Sequence, residues 1–167
     1  MDRRDFFTGM ASLAATAPLG RAAEGKKTRY YVLEQYFLKN GTQPARMQEF
    51  YSKSVVPALG KVHTGPKLFL EAVVAPHMPQ VAVILGYESL DRVLAVQGKV
   101  MQDPDLVRAW KAWELAAEQP FESQSNTLLM AADYSPELVA APRKSPRLFE
   151  LRVYHAPSWN HLSALHE

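Results

Sequence analysis

Thr28-Arg29-Tyr30-Tyr31-Val32-Leu33-Glu34-Gln35-Tyr36-Phe37-Leu38 is the stretch from which the fold is read. Its aromatic and β-branched residues suit a pleated, packed surface. It ends at Asn40-Gly41, a strong turn pair, so it is expected to be the first strand. Because successive side chains of a strand point to opposite faces, Val32 and Tyr36 lie on one side and Tyr31, Leu33 and Phe37 on the other. Both faces are apolar, which predicts burial on two sides: one against helices, the other against a second sheet in a homodimer or in an intrachain repeat.

Downstream, Pro44 suits the first turn of a helix, and Met47, Phe50, Tyr51, Val55, Ala58 and Leu59 recur at helical spacing. Pro57 is expected to kink or end that helix. Two apolar runs of strand length, 67–74 and 81–88, are joined by Ala75-Pro76-His77-Met78-Pro79-Gln80, whose prolines forbid a regular ladder. Ser89 can cap a second helix to about Met101, with Asp91 in its first turn. Asp103-Pro104 opens a third, which places Leu106, Trp110, Trp113 and Ala117 on one face. Residues 121–134 read as a last strand with Leu128, Leu129 and Met130 as its buried centre. The order is therefore β, α, β, β, α, α, β, which is close to β-α-β-β-α-β. That order predicts an α+β, ferredoxin-like fold: an antiparallel sheet with helices on one face.

Residues 136–146 carry three prolines and read as a linker. Beyond it, Arg147-Leu148-Phe149-Glu150-Leu151-Arg152-Val153-Tyr154 can be laid over Arg29-Tyr30-Tyr31-Val32-Leu33-Glu34-Gln35-Tyr36, and Leu162 and Leu165 correspond to Met47 and Phe50. Residues 147–167 are therefore expected to begin a second, truncated copy of the 28–135 domain.

Residues 1–22 resemble a bacterial twin-arginine (Tat) signal peptide. Arg3-Arg4 is followed by Asp5, then Phe6-Phe7, then a weakly apolar segment and small residues near Ala22-Ala23. Asp2 stands where the pattern prefers Ser or Thr. The resemblance implies export to the periplasm or another extracytoplasmic space, with membrane contact only during transit.

Composition narrows the functions. The chain of 167 residues is 47% hydrophobic and 22% charged, with a formal net charge of +2. Such a balance is that of a globular protein, not of a disordered one. The basic cluster of Arg143, Lys144 and Arg147 sits in a proline-rich stretch and the charges otherwise nearly balance, so no nucleic-acid partner is expected. Without cysteine there is neither disulfide nor thiolate chemistry. His161 and His166 are five apart, about 140° around a helix, and cannot share a metal from one helix, so no metal site is expected. No phosphate-binding glycine loop, dinucleotide fingerprint or nucleophile elbow is present.

The strand pattern, the Tyr51 helix with Val56-Pro57-Ala58-Leu59, the hairpin ending Leu85-Gly86-Tyr87-Glu88-Ser89-Leu90, the Asp103-Pro104 helix with Trp110 and the recurring Phe149-Glu150-Leu151-Arg152-Val153-Tyr154 together resemble the NIPSNAP family, within the dimeric α/β barrel group. The resemblance implies paired ferredoxin-like sheets, between chains or between two copies in one chain. It carries over no catalytic residue. Relatives of the same fold include haem-handling enzymes and cofactor-free monooxygenases.

Polar residues on otherwise apolar strands remain as ligand-pocket candidates: Glu34, Gln35, Tyr36 and Glu71, with Arg29 and Tyr31 nearby. A buried carboxyl is costly unless partnered and its pKa rises, which is how pocket acids arise. The same residues could instead face solvent at a sheet edge or pair across a dimer. His77 in the stiff loop and His155 after the repeated strand complete the candidates, each with a haem axial ligand as an alternative to a turn histidine. The sequence requires no cofactor. The expectation is an exported module that binds a small apolar or aromatic ligand or serves a structural role, with a monooxygenase-like or haem-dependent enzyme as the alternative.

Overall fold

The protein is described from a computed structural model covering residues 28–138, 147–151 and Ser158. The expected signal, residues 139–146 of the linker and most of the second copy, His155 included, lie outside the described residues; residues 147–151 carry no strand pairing.

Four strands, β1 (Tyr30–Phe37), β2 (Lys67–Glu71), β3 (Gln80–Tyr87) and β4 (Ser123–Met130), form one sheet in the order β2-β3-β1-β4. Every neighbouring pair is antiparallel. The first strand read from the sequence is thus central, with Glu34 opposite Val83 on one side and Asn126 on the other. Since β1 and β2 both run against β3, they are parallel to each other and need a crossover. Helix α1 (Gln43–Phe50), a π-turn (Tyr51–Val55) and helix α2 (Val56–Val62) supply it. Helices α3 (Leu90–Val100) and α4 (Pro104–Glu114) make the second crossover, from β3 to β4. This is the ferredoxin-like α+β fold.

Local chemistry sets the boundaries. Gly41 adopts a φ of 115°, the left-handed region that glycine enters without steric cost, where the chain turns into α1. Pro44 sits in the first turn of α1. Ser89 Oγ accepts the Arg92 N–H at 3.1 Å and Asp103 Oδ1 accepts the N–H groups of Asp105 and Leu106, so both expected caps form. Pro57 does not end its helix. In a regular helix Pro57 would leave the Lys53 carbonyl without an N–H and its ring would clash with that carbonyl. The turn before it is widened instead, with Val56 N–H reaching back to Tyr51 C=O.

The core lies between the sheet and the helices: Val32, Tyr36, Val83 and Leu85 from the strands meet Met47, Phe50, Leu59, Val93, Val96, Leu106 and Trp113. Gln43, fully buried, ties two loops to this layer. Its Oε1 accepts Lys39 N–H at 2.7 Å and its Nε2 donates to Gln119 C=O at 2.9 Å.

Three expectations are corrected. The second strand ends at Glu71, and Val73 and Val74 are exposed at 74% and 91%, because the Pro76 and Pro79 loop prevents the ladder from extending. Leu128, Leu129 and Met130 are not a buried centre: β4 is an edge strand paired only with β1, which leaves them 39%, 46% and 63% exposed. Helix α4 ends at Glu114, so Ala117 lies beyond it and is exposed. Among the described residues no helix is long and apolar enough to cross a membrane.

Candidate functional site

On the helix-facing side of β1, Val32 is followed by Glu34 and then Tyr36. Glu34 is a carboxyl set among core residues. Its Oε2 accepts the Tyr36 hydroxyl at 2.9 Å. The Tyr36 oxygen in turn accepts from Gln124 Nε2 at 3.0 Å across the β1–β4 ladder. The direction of this chain is fixed: the amide N–H can only donate to Tyr36, so the tyrosine proton points at Glu34. Tyr51, on the π-turn, stands edge-on to Tyr36 with ring centres 5.8 Å apart.

These groups open onto a cavity of about 80 Å³ between sheet and helices. Glu34, Tyr36, Tyr51 and Tyr87 supply its polar atoms, with Gln97 from α3. Phe50, Trp110 and Trp113 supply aromatic wall, and Phe50 stacks on Trp113 at 4.3 Å and 6°. Burial pushes the Glu34 carboxyl above the usual carboxylate range, and the hydroxyls of Tyr36 and Tyr51 partly oppose the rise by hydrogen bonding. Burial, then the Glu34 charge, holds Tyr36 and Tyr51 well above the ordinary tyrosine value, and raises Tyr87 for the same reasons in the same order. The tyrosines therefore stay neutral donors. The carboxyl, raised from its ordinary range while the tyrosines are pushed still further from theirs, is the group here that changes protonation first as pH rises, and it can hold a donor or a positive charge.

Of the candidates read from sequence, the fold brings Glu34 and Tyr36 together in this cavity. Gln35 points from the opposite face of β1, paired in register with Ala82 and Ser125. Glu71 is exposed at the end of β2, opposite Val81. His77 lies in an exposed hollow with Glu122 and Ser123, its ring 5.6 Å from Phe37, apart from the cavity. Arg29 pairs with Asp133 at 3.2 Å, and the Tyr31 hydroxyl on the open face accepts Leu138 N–H at 3.1 Å. His155 lies outside the described residues. Tyr51, Tyr87 and Gln124 join the site without a signal of their own in the sequence. Tyr51 and Tyr87 read as ordinary helix and strand positions, and Gln124 joins Tyr36 only through the β1–β4 register.

His63 is a separate buried group. Its ring lies 4.6 Å from Tyr87, and its Nε2 has no hydrogen-bond partner among the described residues. Burial and then nearby Lys67 hold it below the usual histidine value, so it is neutral. It does not line the cavity. Among the described residues no group of three His, Cys, Asp or Glu side chains could hold a metal. A porphyrin does not fit the site either: no histidine is among the described residues lining the cavity, whose volume is well under the roughly 300 Å³ at which drug-sized pockets begin.

No family model matches the chain, and no curated protein matches it. Solved structures do match its fold. A NIPSNAP family protein of unknown function from Agrobacterium tumefaciens covers 67% of this chain and 96% of its own, with a TM-score of 0.53 and 20% identity. Another NIPSNAP family protein from that organism covers 69% of this chain and 96% of its own, with a TM-score of 0.55 and 17% identity. An uncharacterized NIPSNAP-like domain protein from Burkholderia xenovorans covers 71% and 98%, with a TM-score of 0.53 and 16% identity. At these identities the likeness is one of fold, and function has to be argued from the site.

Proposed function

We propose that this domain is a small-molecule-binding module whose site is the cavity between sheet and helices, in a protein exported by the twin-arginine route that pairs with a second copy through the open face of its sheet. One observation carries the binding reading: a carboxyl, with tyrosine and glutamine arranged to orient it, is placed where a folding core would place a hydrocarbon. A buried polar chain of this kind costs stability unless a task repays it. The π-turn supports the same reading, since such turns cluster at functional sites and this one presents Tyr51 and Val55 to the cavity.

The test is direct. Protein purified from the extracytoplasmic fraction is examined by native mass spectrometry and absorption spectroscopy, beside a Val100→Phe variant that fills the cavity. A small molecule bound to the wild type and absent from the variant is the expected result. A haem or flavin band would overturn it in favour of an enzyme.

A further inference from the structure

The cavity carries a second message in its charge. Among the described residues lining it, none is Lys, Arg or His, so Glu34 faces no counter-charge from the protein. The hydrogen-bond chain from Gln124 through Tyr36 ends on Glu34 Oε2 with the Tyr36 hydroxyl donating to the carboxyl, a contact that favours its ionised form, while Gln124 Nε2 also donates to Asn126 Oδ1. Tyr51, Tyr87, Trp110 and Trp113 line the same cavity, with Phe50 stacked on the Trp113 ring, so the wall beside the carboxyl is aromatic. A carboxylate without a cation, walled by aromatic rings, is the environment that recognises organic ammonium groups.

We propose that the cavity binds a small alkylammonium ion, its charge against Glu34 and its carbons against the aromatic wall. This rests on the cavity being the ligand site. Size limits the class: an apolar cavity of about 150 Å³ holds benzene, so one of about 80 Å³ takes roughly three or four heavy atoms. Primary and methylated amines of that size fit. The groups facing Glu34 are Tyr36 on its own strand, Tyr51 on the π-turn, Tyr87 on β3, Gln124 and Asn126 on β4 and Gln97 on α3, with the rings of Trp110 and Trp113 from α4. The tyrosines remain neutral, so Glu34 alone makes binding depend on pH, and affinity rises as pH rises through its folded pKa.

Isopropylammonium and isopropanol make the test, since they share shape and heavy-atom count and differ in charge. Each is titrated into the full chain and into Glu34→Gln, followed by the indole NMR signals of Trp110 and Trp113, at pH 5 and pH 8. The expected result is saturable binding of isopropylammonium, stronger at pH 8, weakened about tenfold or more in Glu34→Gln, with isopropanol much weaker in both. Equal binding of the two probes, or ammonium binding unchanged in Glu34→Gln, overturns the cation assignment and leaves the cavity as a site for neutral ligands. Saturation by neither overturns the assignment together with the reading of the cavity as a ligand site.

Discussion

At the scale of single residues, two ionisable groups in the packed layer, His63 buried and Glu34 partly buried, set opposite demands on pH. Glu34 has a folded pKa raised by burial, so the stability its protonated form allows is complete below its ordinary value of 4.5 and is lost as pH rises through the folded pKa. Glu34→Gln keeps the shape and removes the ionisation. Its melting temperature should exceed that of the wild type at pH 8, with the difference shrinking toward pH 4, as measured by thermal denaturation without ligand. His63 runs the other way. Its folded pKa is depressed, so its contribution is present above the ordinary value of 6.5 and is lost as pH falls from there toward the folded pKa. A His63→Leu variant should flatten the decline in wild-type stability between pH 7 and pH 5; an unchanged slope would show that the loss originates elsewhere. Glu34 was legible in the sequence because a carboxyl interrupts an apolar strand. The buried His63 was not, because its burial depends on the Tyr87 ring from a strand more than twenty positions away.

At the scale of elements, the sequence is most informative where chemistry is local. Ser89 and Asp103 announce their helices because a capping side chain bonds to backbone two or three residues on. The π-turn, the exposure of Leu128 to Met130 and the buried Gln43 were not readable, since each depends on how elements meet. Gln43 shows the energetic weight of such a meeting. It satisfies Lys39 N–H and Gln119 C=O, joining the loop after β1 to the loop before β4. Gln43→Leu leaves both unpaired and should lower unfolding free energy by about 1–3 kcal/mol in urea titration. Gly65 is a comparable junction: an added Cβ would meet the Gly86 carbonyl oxygen, with backbone on both sides unable to yield. Gly65→Ala should cost about 1–3 kcal/mol by the same measurement.

At the scale of the whole molecule, the two faces of the sheet have unequal cover. The helices bury one. The other presents Tyr31, Leu33, Phe37, Leu70 and Ile84, all only partly buried, beside the exposed Leu129 of β4. Leu33 and Ile84 sit opposite each other at its centre, where a polar face would be expected if water were the only neighbour. A contiguous apolar patch of this kind marks an interaction surface. Because Leu33 points away from the core, a charge there should leave the fold intact and act on assembly alone. Sedimentation equilibrium at micromolar concentration should find the wild type dimeric and Leu33→Lys monomeric, with both retaining the same far-ultraviolet circular dichroism and the same cavity. A monomeric wild type would remove the second copy as the occupant of this face, whereas a dimer unaffected by Leu33→Lys would move the contact to the β4 edge. In either of those outcomes the cavity stands apart from the question, since Glu34 and Tyr36 point to the opposite side of the strand.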